Sequence, residues 1–175
     1  KSEGNGIFAT NEAHIQLVEC HLQQHTLPQL WIQESELHCI RTTIVDGQES
    51  GLMVRSQSQA HLVECTVSNN KMANIQLAMQ SSLHIEQCII ELSDGIGVQA
   101  RNQCVVNVNN CSFIKNKMAQ LYVMDQSVAS INDTHIQQGT KVGIIVEDRS
   151  ECTMLQSTIC EQLNSGLTVI DSDCT

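Results

Sequence analysis

The chain has 175 residues with 19 Asp plus Glu against 9 Lys plus Arg, a formal charge of −10. That balance disfavours polyanionic partners, so neither nucleic acid nor an anionic membrane surface is an expected ligand. Aromatic residues make up only 2%, which leaves an aliphatic, cysteine-lined core as the one to expect. No apolar run approaches the roughly 18 residues that a spanning helix needs, and no charged-then-apolar leader opens the chain.

Taken in chain order, the apolar residues come in short alternating sets. Ile7 and Ala9 flank Phe8, Ile15 and Leu17 flank Gln16, and Leu22 follows. The set returns as Leu30 and Ile32, Leu37 and Cys39, Ile44, and again as Leu52 and Val54, Ala60 and Leu62, Val67. It recurs behind Ile75, Val98, Leu121, Ile144 and Leu167, at successive spacings of 23, 22, 23, 23, 23, 23 and 23 residues counted from Ile7. Self-similarity at one period is the signature of a repeat architecture. Each unit holds three stretches of period two separated by polar, turn-like residues, and no window carries a helical spacing long enough for a helix. The pattern predicts an all-β fold: a right-handed, three-sheet parallel β-helix with 23-residue rungs and about seven to eight coils.

Residues 1–175 read as a single β-helix domain. The repeat is already running at Lys1 and still running at Thr175, so a segment of a longer protein is expected. The one-residue deletion falls around Glu34–Glu36. Gly6, Gln29, Gly51, Asn74, Gly97, Gln120, Gly143 and Gly166 precede each first strand, and this column reads as a corner of positive φ. The only proline, Pro28, stands just before such a corner. Of the nine cysteines, Cys20, Cys65, Cys88 and Cys111 share one inward column with Thr42, Thr134 and Ser157. A residue that alternates with Thr and Ser reads as a small buried space-filler, reduced and not disulfide-bonded. That usage makes the cytoplasm the expected location.

The cadence GI-x-V, I-x-x-C-x-I, N-x-x, as over Ser50–Asn69, resembles the parallel β-helix repeats of the pectin-lyase-like superfamily, and the resemblance covers essentially the whole chain. It implies a fold more than an activity. That superfamily contains polysaccharide lyases, glycoside hydrolases, phage tailspikes, and non-catalytic members such as the β-helix regions of F-box and Shc-binding adaptor proteins. In its enzymes the substrate lies on the outer face of the first sheet and its adjoining turns, with two or three carboxylates in hydrolases and acidic Ca²⁺ ligands plus an Arg or Lys base in lyases. Here the outward positions of that sheet hold one carboxylate, Glu147, two arginines, Arg55 and Arg101, and no lysine. No catalytic residue is carried over.

Four further sets stand out. Asp125, Asp148 and Asp171 share one turn column and are weak candidates for a Ca²⁺ site, although a solvated polar turn is the expected role. His38, His61 and His84 form an outward ladder on the second sheet. Such a ladder can bind a transition metal, but three parallel rings give no closure around an ion, so a surface stack is expected. Asn69, Asn70 and Asn116 lie in the third turn, where local bonds to backbone are expected. Phe8, Trp31, Met53 and Tyr122 share one outward column of the first sheet and are the candidate binding residues.

The reading that results is a non-catalytic protein-interaction or scaffold module of a larger protein, binding through the exposed face of the first sheet. It takes no cofactor, and its partner is another protein or a neighbouring domain of the parent chain. The alternative is a carbohydrate-binding or polysaccharide-degrading β-helix of lyase or glycoside hydrolase type.

Overall fold

The computed structural model describes residues 3–175, and among them every regular element is a short β-strand. The strands sort by position in the repeat into two eight-stranded sheets and one seven-stranded sheet. The first sheet begins with Ile7–Ala9 and ends with Leu167–Ile170; the second runs from His14–Val18 to Asp173–Cys174; the third runs from His21–Gln23 to Thr158–Cys160. Within each sheet a strand pairs in parallel with its counterparts one repeat before and after it. The register is that of the apolar columns: Leu30 faces Leu52, Leu52 faces Ile75, and Leu83 faces Ala60. The chain is therefore a parallel solenoid of three sheets.

Alternation decides which side of each strand is dry. Leu52, Val54, Leu62, Val67, Ile75, Ile85 and Ile90 are all 0% exposed, while their outward neighbours Met53, His61, Thr66 and Gln76 reach solvent. Burying a Leu, Ile or Val side chain is worth about 1.5–3 kcal/mol, and the columns repeat this on every rung. Phe113 alone among the aromatics joins the core. The deletion shortens the first turn of the second rung, where only Glu34 and Ser35 separate Leu30–Gln33 from Glu36–Ile40.

The corners differ from the expectation in their cause. No glycine has positive φ; that conformation falls on non-glycine turn residues such as Glu64, Asn69, Gln80, Asn102 and Asp125. At Gly6, Gly51, Gly97 and Gly143 of the corner column, glycine is required by close approach. A Cβ at Gly51 would lie 2.7 Å from Asn70 Nδ2, and one at Gly97 would lie 2.4 Å from Gln120 O. Gln29, Asn74 and Gln120, which alternate with those glycines, are fully buried and point inward.

These amides join those of the third turn in a buried zigzag. Asn70 Nδ2 donates to Asn74 Oδ1 at 2.9 Å, Asn74 Nδ2 to Asn116 Oδ1 at 3.0 Å, and Asn116 Nδ2 to Gln120 Oε1 at 2.6 Å. Asn70 and Asn116 also accept backbone N–H groups from the preceding rung, Gly47 and Ser93, each at 3.0 Å. The expected local bonding of Asn70 and Asn116 is thus a small part of their role, because they tie rung to rung. Asn69 stays outside, donating to Asp46 Oδ1 at 2.6 Å.

Candidate functional site

The outer face of the first sheet sets Phe8, Trp31 and Met53 on adjacent strands in direct register. Phe8 is 58% exposed, with its ring centroid 6.2 Å from that of Trp31 at an interplanar angle of 36°. Trp31 and Met53 are half-buried. The guanidinium of Arg55 lies over the Trp31 ring, 5.6 Å from its centroid, and the indole N–H is buried without a hydrogen-bond acceptor. Trp31 thus offers a ring edge and face held by a cation–π contact. Tyr122 stands further along the same column, with Gln76 and Gln99 between it and Met53. Its hydroxyl donates to Glu147 Oε1. Burial first, and that bond second, push the phenol up to about 12. The structure therefore brings together Phe8, Trp31 and Met53, and leaves Tyr122 as a separate pair with the one carboxylate of this face.

The adjoining turns form an open groove of about 590 Å³ lined in part by Gln80, Gln103, Asp125, Gln126 and Asp148. Gln57, Gln80, Gln103 and Gln126 pass a hydrogen bond from rung to rung, each Nε2 donating to the next Oε1 at 3.0–3.4 Å. Asp125 accepts from Asn102 Nδ2 at 3.3 Å, while Asp148 and Asp171 are exposed. Among the described residues no group of three or more His, Cys, Asp or Glu side chains is arranged to hold a metal ion as it stands.

On the second sheet His38, His61 and His84 are register partners. Their rings are not parallel. The His38 and His61 rings lie 5.6 Å apart at 58°, and those of His61 and His84 lie 4.5 Å apart at 83°. Burial, then the neighbouring His84 and His38, lower the His61 pKa, so this ring resists protonation. Glu36 bridges His38 Nε2 and His14 Nδ1 at 2.8 Å each, and those two bonds lower its own pKa. Sequence reasoning missed Glu36. The signal was its place on the same face two residues before His38 and one rung after His14.

The family model described as a right-handed β-helix region matches residues 1–132 and 92–175, so its two matches together span the chain. The chain belongs to the right-handed β-helix family. The coil is right-handed accordingly. Solved structures of similar fold include ORF18 of Geobacillus virus E2, with a TM-score of 0.67 at 11% identity over 93% of this chain. The periplasmic alginate epimerase AlgG is similar with a TM-score of 0.52, also at 11% identity, over 91% of this chain. The chain spans 39% and 49% of those two chains respectively. At such identity the likeness is one of fold. A search of curated proteins finds no match.

Proposed function

We propose that this β-helix domain is a non-catalytic interaction module that binds another protein, or a neighbouring domain of its parent chain, through Phe8, Trp31 and Met53. The observation that carries this reading is the aromatic row on the first sheet, with Phe8 more than half exposed beside Trp31. Large exposed apolar side chains in contact with one another commonly mark an interface, and Trp is enriched among the residues that carry binding energy. The only carboxylate on that face, Glu147, is occupied by the Tyr122 hydroxyl, which weighs against paired-acid chemistry there.

Trp31 is the only tryptophan, so its fluorescence reports on this face alone. With alginate, polygalacturonate and neutral glucans, neither unsaturated product nor new reducing ends are expected, and oligosaccharides are expected to leave Trp31 emission unchanged. A photo-crosslinker at Gln76 should capture a defined protein, with yield falling several-fold in Trp31→Ala. Sugar turnover or a saturable, sugar-induced shift in emission would instead support the polysaccharide-active alternative. Undiminished capture by Trp31→Ala would remove the aromatic row from the interface.

A further inference from the structure

The histidine ladder of the second sheet lies outside the surface proposed for binding, and its rings are not the parallel stack that the sequence suggests. Parallel rings on successive strands cannot turn their nitrogens toward one point. Here the middle ring is rotated by 58° and 83° against its neighbours, with centroids 5.6 and 4.5 Å away. His61 Nε2 is buried and has no hydrogen-bond partner. It sits in a shallow depression of about 140 Å³ whose lining includes His38, His84 and Glu36, and no lysine or arginine. An unpartnered imidazole nitrogen between two further imidazoles is a set of neutral, borderline-soft donors.

Glu36 supplies the second independent feature. Its carboxylate holds His38 Nε2 at 2.8 Å, which leaves Nδ1 as the nitrogen free to ligate. A carboxylate on the far nitrogen orients a ligating imidazole and raises its basicity. His38 and His84 stand at the surface on strands about 4.8 Å either side of His61, so side-chain rotation alone can bring their rings toward it. Such rotation is needed, since no three donors converge with the rings as they stand.

We propose that His38, His61 and His84 form a binding site for a divalent transition-metal ion of the imidazole-preferring class, of which zinc is the probe of choice. His61 and His84 make the initial pair, and His38, steered by Glu36, closes on the ion as the third ligand. The remaining position faces solvent and takes water or a group from a partner.

The test is calorimetric titration of the reduced protein with zinc chloride, with magnesium as the control ion. One saturable equivalent of zinc and no magnesium binding are expected. That equivalent should be lost in His61→Asn and in His84→Asn, and retained in His21→Asn and in Cys160→Ser, which controls for the exposed thiol. Glu36→Gln should weaken it by about tenfold. The substituted side chains point outward, so unchanged far-UV circular dichroism is expected throughout, and the two ladder variants stand in for each other should one fail to fold. Paramagnetic nickel should broaden the ring resonances of His38, His61 and His84 before those of His21 and His135. No saturable zinc binding, a site that survives both ladder variants, or one lost only with Cys160 would overturn the proposal.

Discussion

At the scale of single residues, the column that mixes Cys with Thr and Ser is a hydrogen-bonding device. From Thr42 to Ser157 each side chain accepts a backbone N–H from the preceding rung and donates to a carbonyl two residues back on its own. Thr42 N–H reaches Cys65 Sγ at 3.4 Å and Cys65 Sγ–H reaches Val63 O at 3.3 Å; Thr134 N–H reaches Ser157 Oγ at 3.1 Å and Ser157 Oγ–H reaches Leu155 O at 2.9 Å. Sulfur substitutes for oxygen because both ends of the exchange are kept. All nine cysteines are free, and six of them, Cys39, Cys65, Cys88, Cys104, Cys111 and Cys152, are buried. The hydrogen bond with Cys111, together with burial, pushes the Cys88 thiol up to about 12; burial and the neighbouring Cys174 push Cys152 to about 12. Since the thiolate is the nucleophile, native protein should react with a thiol reagent fast at exposed Cys160 and more slowly at Cys20 and Cys174. The six buried thiols, closed to the reagent by burial, should react only on unfolding, including Cys111, whose pKa the hydrogen bond with Cys88 lowers. Mass spectrometry of the alkylated sites checks this, and rapid native labelling of Cys65 or Cys88 would contradict it. The sign of the pH effect follows from the raised values. Stability from these neutral thiols is complete below the unfolded thiol value near 9.0 and is lost as pH climbs toward about 12. Melting temperature should therefore decline across that window, and less steeply in Cys152→Ala.

At the scale of the rung, the corner amides and glycines form one unit. Two amides of the zigzag occupy space that a Cβ on the facing glycine would fill: Asn70 Nδ2 would lie 2.7 Å from a Cβ on Gly51, and Asn116 Nδ2 2.9 Å from one on Gly97. Gly51→Ala should thus cost roughly 1–3 kcal/mol through overpacking. Gly4→Ala meets nothing within 4 Å and should stay within about 0.5 kcal/mol of the parent. Asn116→Ala strips the acceptor from the buried Ser93 N–H and should cost about 1–3 kcal/mol. Urea unfolding midpoints of the three variants decide the matter, and equal midpoints for Gly51→Ala and Gly4→Ala would show that the corner yields easily. The strands and their register were legible because the side-chain period of two repeats at a fixed spacing: Leu52, Ile75 and Val98 align in sequence as they do in space. The corner was not, because Asn74 belongs to a different column from Asn70 and Asn116, and those two stand two repeats apart. Composition also suggested a positive φ that the backbone places on other residues. The tilt of the histidine rings was equally hidden, since sequence gives register and leaves ring torsions open. Of the aromatic row, the alignment of Phe8, Trp31 and Met53 could be read, while the Arg55 contact and the capture of Tyr122 by Glu147 depend on rotamers.

At the scale of the whole molecule, a solenoid holds each rung through its neighbours alone, so stability is close to a sum of rung and interface terms. The inner rungs are covered on both sides: Leu121 and Val123 are 0% exposed. In the same two columns of the last rung, Leu167 and Val169 are each 40% exposed, and Leu163 in the preceding turn reaches 77%. In the 175-residue chain taken by itself, these two side chains keep less of the burial that makes their columns stabilising, while the backbone of their rung pairs on one side, Ile144 with Leu167 and Val146 with Val169. Local opening follows buried apolar contact, so in a protein of these 175 residues the rung should open far more often than the middle of the coil. Native-state hydrogen exchange should find amides of Leu167–Ile170 and Asp173–Cys174 exchanging by local fraying, with protection rising inward to Ile75–Leu77 and Val98–Ala100. Ile75→Ala, in the fully buried inner column, should lower global stability by about 2–5 kcal/mol. The same truncation at Leu167 should cost much less and speed exchange only in its own and the adjacent rung. Uniform protection from end to end, or a Leu167→Ala cost equal to that of Ile75→Ala, would mean that the coil unfolds as one unit.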